Sequence, residues 1–215
     1  GEYPINTLRT TALKGGFYDI EAIYIKQTNV IEEMHPSIHS WWKDFVIDEF
    51  WSNNEYGMFL ARSIGQTYAD TVKRYDLVNK LLKGLEENPF GRRHSINLNQ
   101  EQQKIDDPKA LQPCAFETLW SVREKDNLYN NNELDYKLKR YIDLTLIQRS
   151  QDYITTVSIN PAQYTILAMM VCNHLTFKTG IKHEVGKLLH VVQNVHIYDR
   201  HLDSAKEVLE REAPT

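Results

Sequence analysis

An α+β fold is predicted by three features of the sequence. Segments 70–87 and 162–178 repeat apolar residues at helical spacing. Segments 115–123, 136–148 and 187–198 read as strands, the first two by alternation and the third by a mostly apolar run. The two kinds of segment intermix along the chain, and no internal repeat or low-complexity linker divides it. A single domain is therefore expected.

Residues 11–27 place Leu13, Phe17, Ile20, Ile23 and Tyr24 at helical spacing, weakened by the Gly15-Gly16 pair. Residues 35–68 hold Trp41, Trp42, Phe45, Phe50, Trp51 and Tyr56 without a clear period. These aromatics either pack in a core or face a flat ligand. The 70–87 helix is expected to be capped by Asp70, lined by Val72, Tyr75, Val78, Leu82 and Leu85, and stopped by Asn88-Pro89. Gly91-Arg92-Arg93 then leads to a strand near 93–99.

In 115–123, Phe116, Thr118, Trp120 and Val122 share one side. In 136–148 the alternating set is Leu138, Arg140, Ile142, Leu144 and Leu146. The polar stretch 124–133 between them is a loop. The best helix starts at Asn160-Pro161, with asparagine as cap and proline in the first turn. Tyr164, Leu167, Ala168, Val171 and Leu175 form its apolar face, and Gly180 ends it. A charged helix over about 201–212 closes the chain.

Composition narrows the function classes. The chain has 215 residues, 41% of them hydrophobic, enough for a substantial core. A net charge of -4 gives no basic face for general nucleic-acid binding. Two cysteines, Cys114 and Cys172, do not make a disulfide framework, and a cytoplasmic location is expected. No apolar run reaches membrane-spanning length, and the N-terminus is not a signal peptide.

Four places carry possible chemistry. Cys114 follows Pro113 at a strand entrance, where a thiol is held in place; it is either a nucleophile or an inert cysteine. Cys172 lies inside an apolar helix and reads as core. Arg149 and Ser150, in Gln148-Arg149-Ser150-Gln151-Asp152, suit a phosphate, as do Arg92 and Arg93; a solvated turn is the other reading. His196 and Tyr198 would share a strand face and could meet a sugar hydroxyl. His35 and His39 have helical spacing, but Pro36 lies between them and no third ligand is obvious, so no metal is expected. There is no glycine-rich phosphate loop and no nucleophilic-serine elbow.

Together these segments resemble the folate-dependent thymidylate synthases and the related deoxypyrimidine hydroxymethylases. The resemblance rests on Arg92-Arg93, Pro113-Cys114, Gln148-Arg149-Ser150-x-Asp152 with Asn160 eight residues on, and His196-x-Tyr198, all in order. Thr28-Asn29 and Gly65-Gln66-x-Tyr68 fit the weaker N-terminal stretch. It covers essentially the whole chain. It implies one domain over 1–215, a mixed β-sheet packed with helices, and a homodimer formed through that sheet.

The resemblance also implies an activity: reductive methylation of dUMP to dTMP, with 5,10-methylenetetrahydrofolate as cosubstrate and dihydrofolate as coproduct. Cys114 would attack C6 of the uracil. Arg149 and Ser150 would hold the phosphate, and Arg92 and Arg93 would reach the partner subunit's phosphate. Asn160 would pair with the pyrimidine edge, and His196 and Tyr198 would bind the deoxyribose 3′-hydroxyl. Asp152 would touch the pterin, Tyr68 would serve proton removal, and a tryptophan of the Trp41-Trp42 pair would stack near the one-carbon unit. The alternatives are a deoxyuridylate hydroxymethylase and a homologue that binds nucleotide or a partner without turnover.

Some positions depart from the family pattern. Asp19 stands where the family carries a glutamate that organises proton transfer, one methylene longer. Ala115 follows the cysteine where a histidine is common, and Ala69 replaces a glycine. The family's N- and C-terminal portions are expected to lie outside these 215 residues.

Overall fold

The computed structural model describes residues 11–47, 62–101, 111–125 and 138–212. The expectations for Phe50, Trp51 and Tyr56, and for most of the loop after residue 125, lie outside these residues. Four strands form one sheet in the order β1-β2-β3-β4: Ser95–Asn97, Ala115–Lys125, Lys139–Asp152 and Lys182–His196. The first three are antiparallel, and β4 runs parallel to β3. The class is α+β, as the alternation predicts.

A parallel neighbour needs a crossover, and the long helix Ile159–Thr179 supplies it. This helix buries Ala162, Tyr164, Leu167, Ala168, Val171, Cys172 and Leu175, the face that the spacing predicts. Gly180 ends it at φ 72°, a left-handed conformation that glycine adopts without steric cost. One sheet face packs into the core through Thr118, Trp120, Val122, Ile142, Leu144 and Leu146. Cys172 is buried in the same core, and burial pushes its thiol up to about 12, as an inert core cysteine requires. The opposite sheet face leaves Leu119, Leu189, Val191 and Val195 exposed.

Several elements differ from expectation. The 70–87 segment is two helices, Ala69–Arg74 and Leu77–Glu87, broken at Asp76, whose φ is 51°. Asp70 caps neither; it is buried in the first and its carboxylate lies 3.3 Å from Arg74. The long helix begins at Ile159, so Asn160 sits inside its first turn and does not cap it. β1 is shorter than the 93–99 estimate, and β4 starts earlier, at Lys182, and ends at His196, leaving Tyr198 just beyond the strand. The first helix, Leu13–Ile20, does form despite its two glycines and continues as a π-helical turn, Glu21–Lys26. The glycines have a packing use: a Cβ on Gly15 would lie 2.6 Å from the Trp41 ring, and one on Gly16 would lie 3.1 Å from Gln163 Cγ.

Candidate active site

Cys114 lies at the mouth of β2, half-buried, where three elements converge. Its backbone N–H donates to the Tyr68 hydroxyl at 3.1 Å, and its carbonyl accepts from the Arg149 N–H at 2.9 Å. The Arg149 guanidinium turns back over the same segment, donating to the carbonyls of Pro113 at 3.0 Å and Gln112 at 2.8 Å. Thr67 Oγ1 donates to the Leu111 carbonyl at 2.6 Å. The residues preceding the thiol are thus fixed by the end of β3 on one side and the 67–68 turn on the other.

That turn is itself constrained. Tyr68 has φ 41°, an unfavourable conformation for a bulky residue, costing on the order of 1–3 kcal/mol. Asn29 secures it, donating to the carbonyls of Gly65 at 2.7 Å and Thr67 at 2.6 Å. Burial, reinforced by neighbouring Cys114, pushes the Tyr68 phenol far above its ordinary value, so it keeps its proton. Its ring meets Trp42 edge-on at 5.3 Å between centroids.

Asp19 is a buried carboxyl with two neutral donors. Trp42 Nε1 donates to Oδ1 at 2.7 Å and Gln163 Nε2 to Oδ2 at 2.7 Å. Burial outweighs these two bonds and raises the carboxyl to about 6. The tryptophan pair divides its work: the Trp42 indole N–H faces Asp19, whereas Trp41 packs on Gly15.

Asn160 belongs to the same network. Its Oδ1 accepts from Gln148 Nε2 at 3.2 Å, and its Nδ2 donates to Gln163 Oε1 at 2.9 Å. Gln148 also donates to the Ser150 carbonyl at 2.9 Å, and its Oε1 meets His190 Nε2 at 2.9 Å. Burial holds the His190 ring below the usual histidine value. Sequence reading named Gln148 only as part of its motif, without this role, and missed Gln163 and His190. Gln163 did leave a signal: it is a polar residue among the buried positions of an otherwise apolar helix face.

The ends of β3 and β4 carry the remaining candidates. Ser150 pairs with Asn194, and Asp152 with His196, in the parallel ladder. Asp152 is buried; it accepts from the Ile154 N–H at 3.2 Å and from Thr155 Oγ1 at 2.7 Å, and its Oδ2 lies 3.1 Å from His201 Nδ1. The rings of His196 and Tyr198 meet edge-on at 4.9 Å, with Tyr198 beyond the end of the strand rather than on a shared strand face. His35 and His39 do not converge on a ligand: His35 stacks on Tyr18 at 3.4 Å, and His39 Nε2 meets the Met34 carbonyl at 3.0 Å.

Arg92 and Arg93 sit apart from this site. They lie on the turn before β1, in a cleft of about 380 Å³ with Phe90, His94, Leu119 and Trp120. The His94 carbonyl accepts from Trp120 N at 2.9 Å, which fixes this turn opposite the middle of β2. Trp120 is six residues along the strand from Cys114, and at the rise of a β-strand that is about 20 Å.

Both the sequence and the fold have known counterparts. The family described as Thymidylate synthase matches residues 1–215. A thymidylate synthase of Streptococcus thermophilus is 37% identical over 214 residues, covering 99% of this chain and 67% of its own length. One from Streptococcus pneumoniae is 36% identical over 214 residues, covering 99% of this chain and 66% of its own. The chain therefore spans about two thirds of the length of these curated relatives. The solved structure of thermostable thymidylate synthase A from Bacillus subtilis superposes with a TM-score of 0.70 at 23% identity, over 99% of this chain and 67% of that one. The chain belongs to the thymidylate synthase family, whose members are one-carbon methyltransferases acting on dUMP.

Proposed function

We propose that this protein carries out the reductive methylation of dUMP to dTMP with 5,10-methylenetetrahydrofolate, through a covalent adduct on Cys114. The observation that carries the reading is the clamp on residues 112–114, which Arg149 and Tyr68 hold from opposite sides. A nucleophile attacks best from a fixed position, and its own backbone bonds supply that here.

In this reading the Cys114 sulfur adds to C6 of the uracil, and the electron pair moves through C5 to O4. C5 then bonds the methylene carbon of the folate. Loss of the C5 proton and of the folate amine leaves an exocyclic methylene. A hydride from the tetrahydrofolate reduces it to the methyl group, and the sulfur departs, giving dTMP and dihydrofolate. Asn160 has one N–H and one acceptor position left after its protein bonds, enough for O4 and N3–H of uracil. Asp19, Trp42 and Tyr68 form the polar cluster that handles protons near C5 and O4. His196 and Tyr198 bind the deoxyribose hydroxyl. Asp152, already a cap for residues 153–156, supports the pterin side; Trp41 and Trp42 border the one-carbon unit.

The phosphate is assigned to Arg149 and Ser150 of one subunit and to Arg92 and Arg93 of the other. Two observations support a homodimer of this kind. Arg92 and Arg93 stand about 20 Å along β2 from their own Cys114, too far to share its ligand. The exposed sheet face with Leu119, Leu189, Val191 and Val195 is an apolar surface suited to a second copy. A cytoplasmic location fits two free cysteines; among the described residues no helix is long and apolar enough to cross a membrane. The test is incubation of the full-length protein with dUMP and methylenetetrahydrofolate, followed by mass analysis of the nucleotide. A methyl product with dihydrofolate supports the reading. A hydroxymethyl product assigns quenching to water, and unchanged dUMP contradicts turnover.

A further inference from the structure

The amides around Asn160 form one directed chain, and its direction is set at both ends by groups with no choice. At one end the Ser150 carbonyl can only accept, so the Gln148 amide must turn its NH2 toward Ser150 and Asn160. The Gln148 oxygen then faces His190, whose proton must sit on Nε2. At the other end an ionised Asp19 can only accept. Gln163 must therefore point its NH2 at Asp19 and its oxygen at Asn160. Both ends impose the same orientation on Asn160: oxygen toward Gln148, NH2 toward Gln163.

Orientation decides which base an asparagine reads. An amide that offers its oxygen to N3 and its NH2 to position 4 matches uracil; the flipped amide matches cytosine. Gln163 is the only link between Asp19 and Asn160 in this chain of bonds. It is 4% exposed, and Gly16 leaves it room, since a Cβ there would lie 3.1 Å from Gln163 Cγ.

We propose that Gln163 is a positioning residue that locks the Asn160 amide in its uracil-reading orientation by tying it to Asp19. It touches no substrate itself. The inference rests on the dUMP reading above and adds a determinant of base choice to it. Without the lock, Asn160 is held in that orientation only by the 3.2 Å bond from Gln148, and the main consequence is gain of dCMP binding.

The test measures dUMP and dCMP affinity by calorimetry for the full-length protein and for Gln163→Met and Gln163→Ser. Methionine keeps the length without the hydrogen bonds; serine relieves any crowding if the methionine variant fails to fold. One oriented hydrogen bond of about 1.4 kcal/mol corresponds to a tenfold change. The preference for dUMP over dCMP is expected to fall about tenfold in both variants, mostly by tighter dCMP binding. Equal weakening of both nucleotides, the mark of a structural role, overturns the proposal, as does an unchanged preference. A wild-type protein that binds neither nucleotide overturns the dUMP reading itself, a result distinct from either.

Discussion

The buried Asp19 carboxyl makes the stability of this protein depend on pH in a way a single substitution should abolish. Burial raises this group from 3.8 in the unfolded chain to about 6 in the fold. Below pH ~3.8 both states hold the proton, and the carboxyl costs the fold nothing. As pH rises toward about 6 the unfolded chain releases its proton first, so stability falls; above that the loss is constant. The shift of roughly two pK units corresponds to about 3 kcal/mol, which the ionised carboxylate costs the fold at neutral pH. Asp19→Asn carries no such proton. Urea unfolding of the wild type and Asp19→Asn, at constant ionic strength from about pH 4 to about pH 7.5, isolates the contribution of this carboxyl. The wild type should gain about 2 kcal/mol relative to the variant as pH falls across this range, the remainder lying below pH ~4, where the unfolded carboxyl is still partly ionised. A difference that stays flat, or runs the other way, would refute a raised carboxyl at this position.

Other consequences follow from the same contacts. Trp42→Phe removes one of the two donors to Asp19 and should move the acid limb of kcat/KM upward by about one pH unit, read from the pH–rate profile. A downward shift would mean that the indole N–H does not stabilise the carboxylate. Mixing inactive Cys114→Ser subunits with inactive Arg92→Ala/Arg93→Ala subunits should restore about a quarter of wild-type activity, because half the random dimers then hold one intact site. No recovery, with exchange shown by mass analysis, would place those arginines outside the partner's site.

Much of this arrangement was legible in the sequence because it depends on local rules. The apolar spacing of Leu167, Val171 and Leu175 marked the crossover helix, and Gly180 marked its end. Pro113-Cys114 and Gln148-Arg149-Ser150 stood out because their chemistry is uncommon in that order. Local rules failed where a tertiary partner competes with them. Asn160 has the composition of a cap, yet its amide is claimed by Gln148 and Gln163. Asp70 looks like a cap but pairs with Arg74 inside its helix. The helix break at Asp76 has no glycine or proline to announce it; aspartate tolerates the left-handed conformation well enough for packing to decide. Gln163 and Asp19 are 144 positions apart, and no local pattern predicts that bond.

The central claim is that Cys114 is the nucleophile in a pyrimidine- and folate-binding site. It is tested most directly by incubating the full-length protein with 5-fluoro-dUMP and methylenetetrahydrofolate and measuring the intact mass. Fluorine at C5 cannot leave as a proton does, so the reaction should stop at a covalent ternary adduct. One adduct per active site is expected, mapped to Cys114 and absent from Cys114→Ser. A folded protein that binds both ligands yet forms no adduct, or forms one on another residue, would contradict it.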